Sequence, residues 1–233
     1  MPHDNTAGQL IVIEGLDGSG KATQAQLLAQ CLSDRGEHVT QISFPDYKSE
    51  SSALVRLYLS GGAGDVSNVN AYAASSFYAA DRYISYHTDW KKQWDLGYTI
   101  IADRYTTSNA VHQMSKLPQE EWDGYLSWLW DFEFNRMGLP RPSLVIYLDM
   151  PPESSRELLM LRYDGDESRA DAHESNIEYQ TLCRRAALFA VEKLSWKRVV
   201  CKDDVILSVD TIAQTIQSII FDERNISIHH DGV

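Results

Sequence analysis

The chain alternates between short apolar, β-branched runs and longer stretches with apolar residues at three- and four-residue spacing. Leu10-Ile11-Val12-Ile13-Glu14 is short, rich in branched residues and followed at once by glycine, which predicts a buried parallel strand. After the glycines, Leu27, Leu28, Cys31 and Leu32 form a helical stripe that Gly36 closes. The unit recurs: 38–44, 98–103 and 143–149 read as strands, with 198–201 as a weaker fifth. Strands separated by helices need right-handed crossovers. The pattern therefore predicts an α/β fold, a doubly wound parallel five-stranded sheet with helices on both faces and ligands at the carboxyl ends of its strands.

Between the second and third strands lie a segment over 51–59, a glycine break at Gly61-Gly62-Ala63-Gly64, and a long helix-compatible stretch over 69–96 that Gly97 ends. Trp122, Tyr125, Leu126, Leu129, Trp130 and Phe134 recur at helical spacing, as expected of a core face or a subunit interface. Nothing divides the 233 residues into two units, so a single domain is expected, with 222–233 as a flexible tail.

Composition narrows the partners. The 43% hydrophobic and 23% charged residues suit a soluble globular chain, and no apolar run reaches the ~20 residues that span a bilayer. Acidic residues outnumber basic ones 33 to 21, a formal net charge of -12 that disfavours a nucleic-acid partner. Cys31, Cys183 and Cys201 lack metal-ligand spacing and fit reduced thiols in the cytoplasm.

The segment Gly15-Leu16-Asp17-Gly18-Ser19-Gly20-Lys21 fits the pattern G-x-x-x-x-G-K between a predicted strand and a predicted helix. Glycines there let successive backbone N–H groups converge on phosphate oxygens, the helix start adds partial positive charge, and Lys21 can reach the β- and γ-phosphates. ATP is therefore the expected ligand of 15–23. Ala22 stands where the pattern normally has a hydroxyl residue that coordinates Mg²⁺, and Thr23, one position on, points about 100° away. Asp17 and Asp103, the acid ending an apolar strand, are the candidate metal partners instead. Arg104, beside Asp103, is placed to stabilise charge on a transferring phosphoryl group.

No Asn-Lys-x-Asp base-reading segment of a GTPase is present. Beyond the glycine loop, the chain carries Phe44-Pro45, Phe77-Tyr78-Ala79-Ala80-Asp81-Arg82, Asp103-Arg104-Tyr105 with Ser108-Asn109, and Gly138-Leu139-Pro140-Arg141-Pro142. In order and spacing these resemble the thymidylate kinase family up to about Glu192. The resemblance implies that Phe44 and Pro45 line an acceptor pocket, that Tyr78 stacks on the base while Arg82 binds it, and that Arg104 bridges donor and acceptor phosphates. It also implies polar contacts to base and sugar from Ser108 and Asn109, with His112 where relatives often carry a tyrosine that crowds a 2′-hydroxyl. Phe77, turned by about 100° from Tyr78, reads as a core residue. Asp46, beside the Phe-Pro pair, is an unexpected acid near an acceptor phosphate.

By the same resemblance 162–172 is a lid. Because the loop has no arginine, Arg162 or Arg169 would supply the catalytic arginine, and Glu174 would approach the acceptor sugar or its metal. The implied activity is Mg·ATP-dependent phosphorylation of dTMP to dTDP by a homodimer. The alternatives are a kinase for another pyrimidine nucleotide or a deoxynucleoside, and a nucleotide-binding module without transfer.

Overall fold

The computed structural model describes residues 8–66, 68–162 and 177–230, with side chains up to Arg224 in the last stretch and excluding that of Arg162. Five parallel strands form one sheet: β1 (Gln9–Gly15), β2 (Val39–Ser43), β3 (Thr99–Asp103), β4 (Leu144–Asp149) and β5 (Lys197–Val200), in the order β2-β3-β1-β4-β5. β1 is central, so Leu10 to Gly15 are all buried, and both of its faces need apolar side chains. Leu10 pairs with Ile100, and Ile13 pairs with Asp103 and with Ile146. Because the chain leaves β1 for β2 and β3 on one side and β4 on the other, a crevice opens at the carboxyl end of β1.

Alternate side chains of each strand feed two cores. Ile11, Ile13, Ile101, Ile146 and Leu148 pack with Leu28 and Leu32 of α1 (Lys21–Asp34) and with Ile212 and Ile216 of α9 (Val209–His230). Leu10, Val12, Ile100, Ala102 and Tyr147 face α5 (Thr107–His112), α6 (Trp122–Trp130) and α8 (Ile177–Lys193). The aromatic stripe belongs to this second core: Trp122, Tyr125, Leu126, Leu129 and Phe134 are buried, and Trp130 packs partly buried against them. Of the two readings of that stripe, the structure selects the core.

The segments between β2 and β3 become α2 (Ala53–Leu59), α3 (Ala71–Ser85) and α4 (Lys91–Asp95), with a π-turn over Tyr86–Trp90 interrupting the expected long helix. That turn brings Trp90 into the core at 1% exposure. α7 (Pro152–Arg162) follows β4. α9 runs on to His230, and within it Arg224 donates to Glu37 at 2.6 Å and to Gln9 of β1 at 2.8 Å.

Candidate active site

Three strand ends meet at one edge of the sheet. β1 runs into the loop before Lys21, β3 ends at Asp103, and β2 continues into Phe44 and Pro45, whose peptide bond is cis. Between them opens a cavity of about 340 Å³. Its walls are Asp17, Gly18, Gly20, Lys21 and Ala22 from the loop and α1, Phe44, Pro45, Tyr58, Tyr78 and Arg82 from the β2–α3 side, and Asp103, Arg104, Ser108, Asn109, His112 and Gln113 from β3 onward. Tyr179 of α8 and Leu159 of α7 also line it.

The loop is shaped by close approaches and by positive φ. A Cβ on Gly18 would lie 2.3 Å from the Ser155 carbonyl oxygen, and its φ is 82°. Gly20, with φ 88°, caps α1 without a side-chain hydrogen bond, leaving the first N–H groups of the helix uncapped by any side chain. Lys21 is 6% exposed, donates from Nζ to the Leu16 carbonyl at 2.8 Å and lies 3.9 Å from Asp17. Burial and the neighbouring Arg104 lower its pKa, with Asp17, Asp103 and Glu14 opposing. Gly15, Leu16 and Ser19 build the loop from behind, and Thr23 is exposed outside the cavity.

Arg104 is the junction of the site. Its backbone is left-handed, with φ 68°, and its N–H donates to the Ile13 carbonyl at 3.1 Å, locking the turn after β3 onto β1. The guanidinium donates to Asp17 at 2.5 Å, to Ser108 Oγ at 3.2 Å and to His112 Nε2 at 2.9 Å. Arginine has no acceptor, so His112 Nε2 is the acceptor of this contact, while its Nδ1 lies 3.5 Å from Tyr179 Oη and 3.6 Å from Cys183 Sγ. Burial opposes the Arg104 charge, but Asp17, Glu14 and Asp103 outweigh it and raise its pKa. Asp17 is the mirror case: burial raises its pKa, Arg104 and Lys21 overcome that, and it stays well below the carboxylate range. Glu14 supports the junction from beneath, fully buried and accepting from Gly15 N, Thr107 Oγ1 and Ser108 Oγ.

At the other end Tyr78 lines the cavity with Tyr58 edge-on to it, ring centroids 6.2 Å apart. Burial raises the Tyr78 pKa, so the phenol is neutral. Phe77 is half-buried against Tyr58 instead, as expected of a packing residue. Arg82 is 1% exposed and paired with Glu133, which also accepts from Thr106 and Asn109. Asp46 does not line the cavity; its Oδ1 accepts the Lys48 N–H of its own turn at 3.2 Å.

Asp103 Oδ1 is buried with no hydrogen-bond partner among the described residues, an acceptor that fits a hard cation or its water shell. Asp17 is already committed to Arg104 and Lys21. No group of three potential metal ligands occurs among the described residues. Arg162 ends α7, but its side chain, Arg169, Glu174 and the rest of the expected lid lie outside the described residues.

Three contributors escaped the sequence reading. Gln113, in the cavity wall, is 4% exposed, and its Oε1 has no partner among the described residues. Glu133 is fully buried, and an acid between Phe132 and Phe134 in an aromatic stripe was its signal. Tyr58 had no signal, because only the folding of α2 onto α3 brings it to Tyr78.

The thymidylate kinase family model matches residues 13–212. A thymidylate kinase of Mycobacterium tuberculosis is 33% identical over 185 residues, covering 78% of this chain and 84% of the relative. A probable thymidylate kinase of Thermococcus onnurineus is 31% identical over 213 residues, covering 90% and 96%. Among solved structures, a thymidylate kinase from Candida albicans superimposes with a TM-score of 0.69 at 23% identity, covering 94% of this chain and 93% of that one, a likeness of fold. No helix among the described residues is long and apolar enough to cross a membrane.

Proposed function

This chain belongs to the thymidylate kinase family, and on that premise we propose how its cleft performs the transfer of a phosphoryl group from ATP to dTMP. The enzyme is an ATP-dependent nucleoside monophosphate kinase that makes dTDP, with Mg²⁺ accompanying ATP. The observation that carries the assignment of roles is Arg104: one guanidinium bonds the glycine loop through Asp17 and the α5 side of the cavity through Ser108 and His112.

The loop N–H groups and Lys21 receive the β- and γ-phosphates, Lys21 exchanging the Leu16 carbonyl for phosphate oxygen. Arg104 lies between donor and acceptor phosphates and stabilises the charge that spreads over the transferring group. The acceptor phosphate is itself the nucleophile, so positioning and charge neutralisation suffice. Asp103 would hold the cation or its waters, and Mg²⁺ bound there would neutralise the donor phosphates. Tyr78 stacks on the base with Phe44 and Pro45 opposite, Arg82, Asn109 and Gln113 meet its edge, and His112 and Ser108 face the sugar. Arg162 or Arg169 completes the charge clamp from the lid, with Glu174 near the acceptor.

The α6 stripe is used in the core, so the homodimer we propose pairs through α2 and α3, where Leu54, Leu57, Tyr83 and Ile84 are exposed. Three free cysteines fit a cytoplasmic setting.

A coupled assay of ADP release with dTMP, dUMP, UMP and thymidine tests the acceptor. Turnover highest with dTMP is expected; no dTMP-dependent release would overturn the reading.

A further inference from the structure

We propose that Glu133, which does not itself line the cavity, is the positioning residue that sets base specificity, by fixing a donor at Arg82 and an acceptor at Asn109 on the wall that reads the base edge. The inference rests on the preceding reading that this wall meets a pyrimidine.

Glu133 is fully buried and accepts four hydrogen bonds. Arg82 Nε donates to Oε2 at 2.7 Å and Nη2 to Oε1 at 2.5 Å. Thr106 Oγ1 donates at 2.6 Å and Asn109 Nδ2 at 3.1 Å. The paired contact uses the Nε hydrogen and one Nη2 hydrogen, and leaves as donors the second Nη2 hydrogen and Nη1, which contacts the Tyr105 carbonyl at 3.3 Å.

The same carboxylate decides which way round the Asn109 amide sits. The amide atom facing Glu133 also faces the Ser75 carbonyl at 3.3 Å. A carboxylate and a carbonyl can only accept, so that atom must be nitrogen, and both of its hydrogens are consumed. Asn109 is left with Oδ1, an acceptor, for whatever enters the cavity it lines.

Arg82 therefore offers only a donor and Asn109 only an acceptor. A pyrimidine with a C4 carbonyl and an N3–H presents the complementary pair on one edge. One with a C4 amino group and a bare N3 presents the reverse and would bury two unsatisfied contacts. Arg82 is also charge-neutralised by Glu133, so this wall reads hydrogen-bond polarity and attracts no phosphate.

Glu133→Gln tests the idea, since the amide can donate toward Asn109 and so permits its flip. With ATP as donor, the expected result is a rise of about tenfold or more in KM for dTMP, an unchanged KM for ATP, and a dTMP-to-dCMP preference reduced by a similar factor. Thr106→Val, which removes one of the four bonds and adds no charge, should shift both quantities in the same direction by roughly threefold and covers the case in which Glu133→Gln does not fold. A folded Glu133→Gln enzyme, or Thr106→Val if that variant does not fold, that keeps the wild-type KM and the wild-type dTMP-to-dCMP ratio overturns the proposal. A wild-type enzyme that does not prefer dTMP to dCMP overturns instead the reading of the wall on which it rests.

Discussion

Arg104 Nη2 lies 2.5 Å from Asp17 Oδ1, so the turn after β3 is bonded directly to the phosphate-binding loop across 87 residues of sequence. An ammonium cannot satisfy Asp17, Ser108 and His112 together, because a lysine carries one nitrogen where arginine spreads its donors over a rigid fork. Arg104→Lys is expected to lower kcat with dTMP by about 100-fold or more while the protein remains folded. Steady-state kinetics with a thermal melt alongside checks this; a kcat within a few-fold of wild type would remove Arg104 from the transfer step.

Two glycines in the loop should behave differently. At Gly18 an added methyl would meet the Ser155 carbonyl oxygen at 2.3 Å, so the loop must shift, whereas at Gly20 nothing lies within 4 Å. Gly18→Ala should reduce kcat/KM for ATP by about 100-fold, since small displacements of positioning groups are costly. Gly20→Ala should bear mainly the cost of its positive φ, about 1–2 kcal/mol, read as a lower unfolding midpoint. Equal effects at the two positions would show that the close approach to Ser155 is not what shapes the loop.

Asp103 Oδ1 is the carboxylate oxygen in the cavity wall that is buried and without a partner among the described residues. Asp103→Asn should raise the Mg²⁺ concentration needed for half-maximal activity by about tenfold or more. Titration of activity against Mg²⁺ at saturating ATP measures it, and an unmoved midpoint would take Asp103 out of cation binding.

Lys116 gives a pH dependence of stability. Its Nζ donates to Tyr58 OH at 2.8 Å and to the Val69 carbonyl at 3.4 Å, and burial lowers its pKa to about 8. An unfolded lysine keeps its proton to about pH 10.4, so between those values the unfolded chain binds more protons and stability rises with pH. Below about pH 8 both states are charged and the cost of burying the charge is fully present. The unfolding midpoint of wild type relative to Lys116→Met should therefore climb between about pH 7.5 and 9.5. A difference that stays flat over that range would mean the ammonium is solvated.

The sheet and the loop were legible because their signals are local. A β-branched run followed by glycines at fixed spacing specifies a buried strand and a phosphate-binding turn within a dozen residues, whatever the remainder of the chain does. Tyr78 and Arg82 were also within reach, four apart on one face of α3. The π-turn at Tyr86–Trp90 was not, because a single extra residue in a helical turn leaves the apolar periodicity nearly unchanged. Nor was the pairing of Arg224 in α9 with Glu37, which lies 187 residues earlier in the chain.

What local pattern could not supply was the pairing of groups that are distant in sequence. Sequence put Asp17 in the loop, and only folding brought Arg104 to it, 87 residues on. The resemblance implies that Arg82 binds the base, yet its guanidinium is held by Glu133, 51 residues on, and the Asn109 amide bonds that same carboxylate. The aromatic stripe could have faced a partner until the sheet closed over it. Chain-local preferences choose strands, helices and turns, while the desolvation cost of a buried charge or amide is met only by partners that crossover connections bring together.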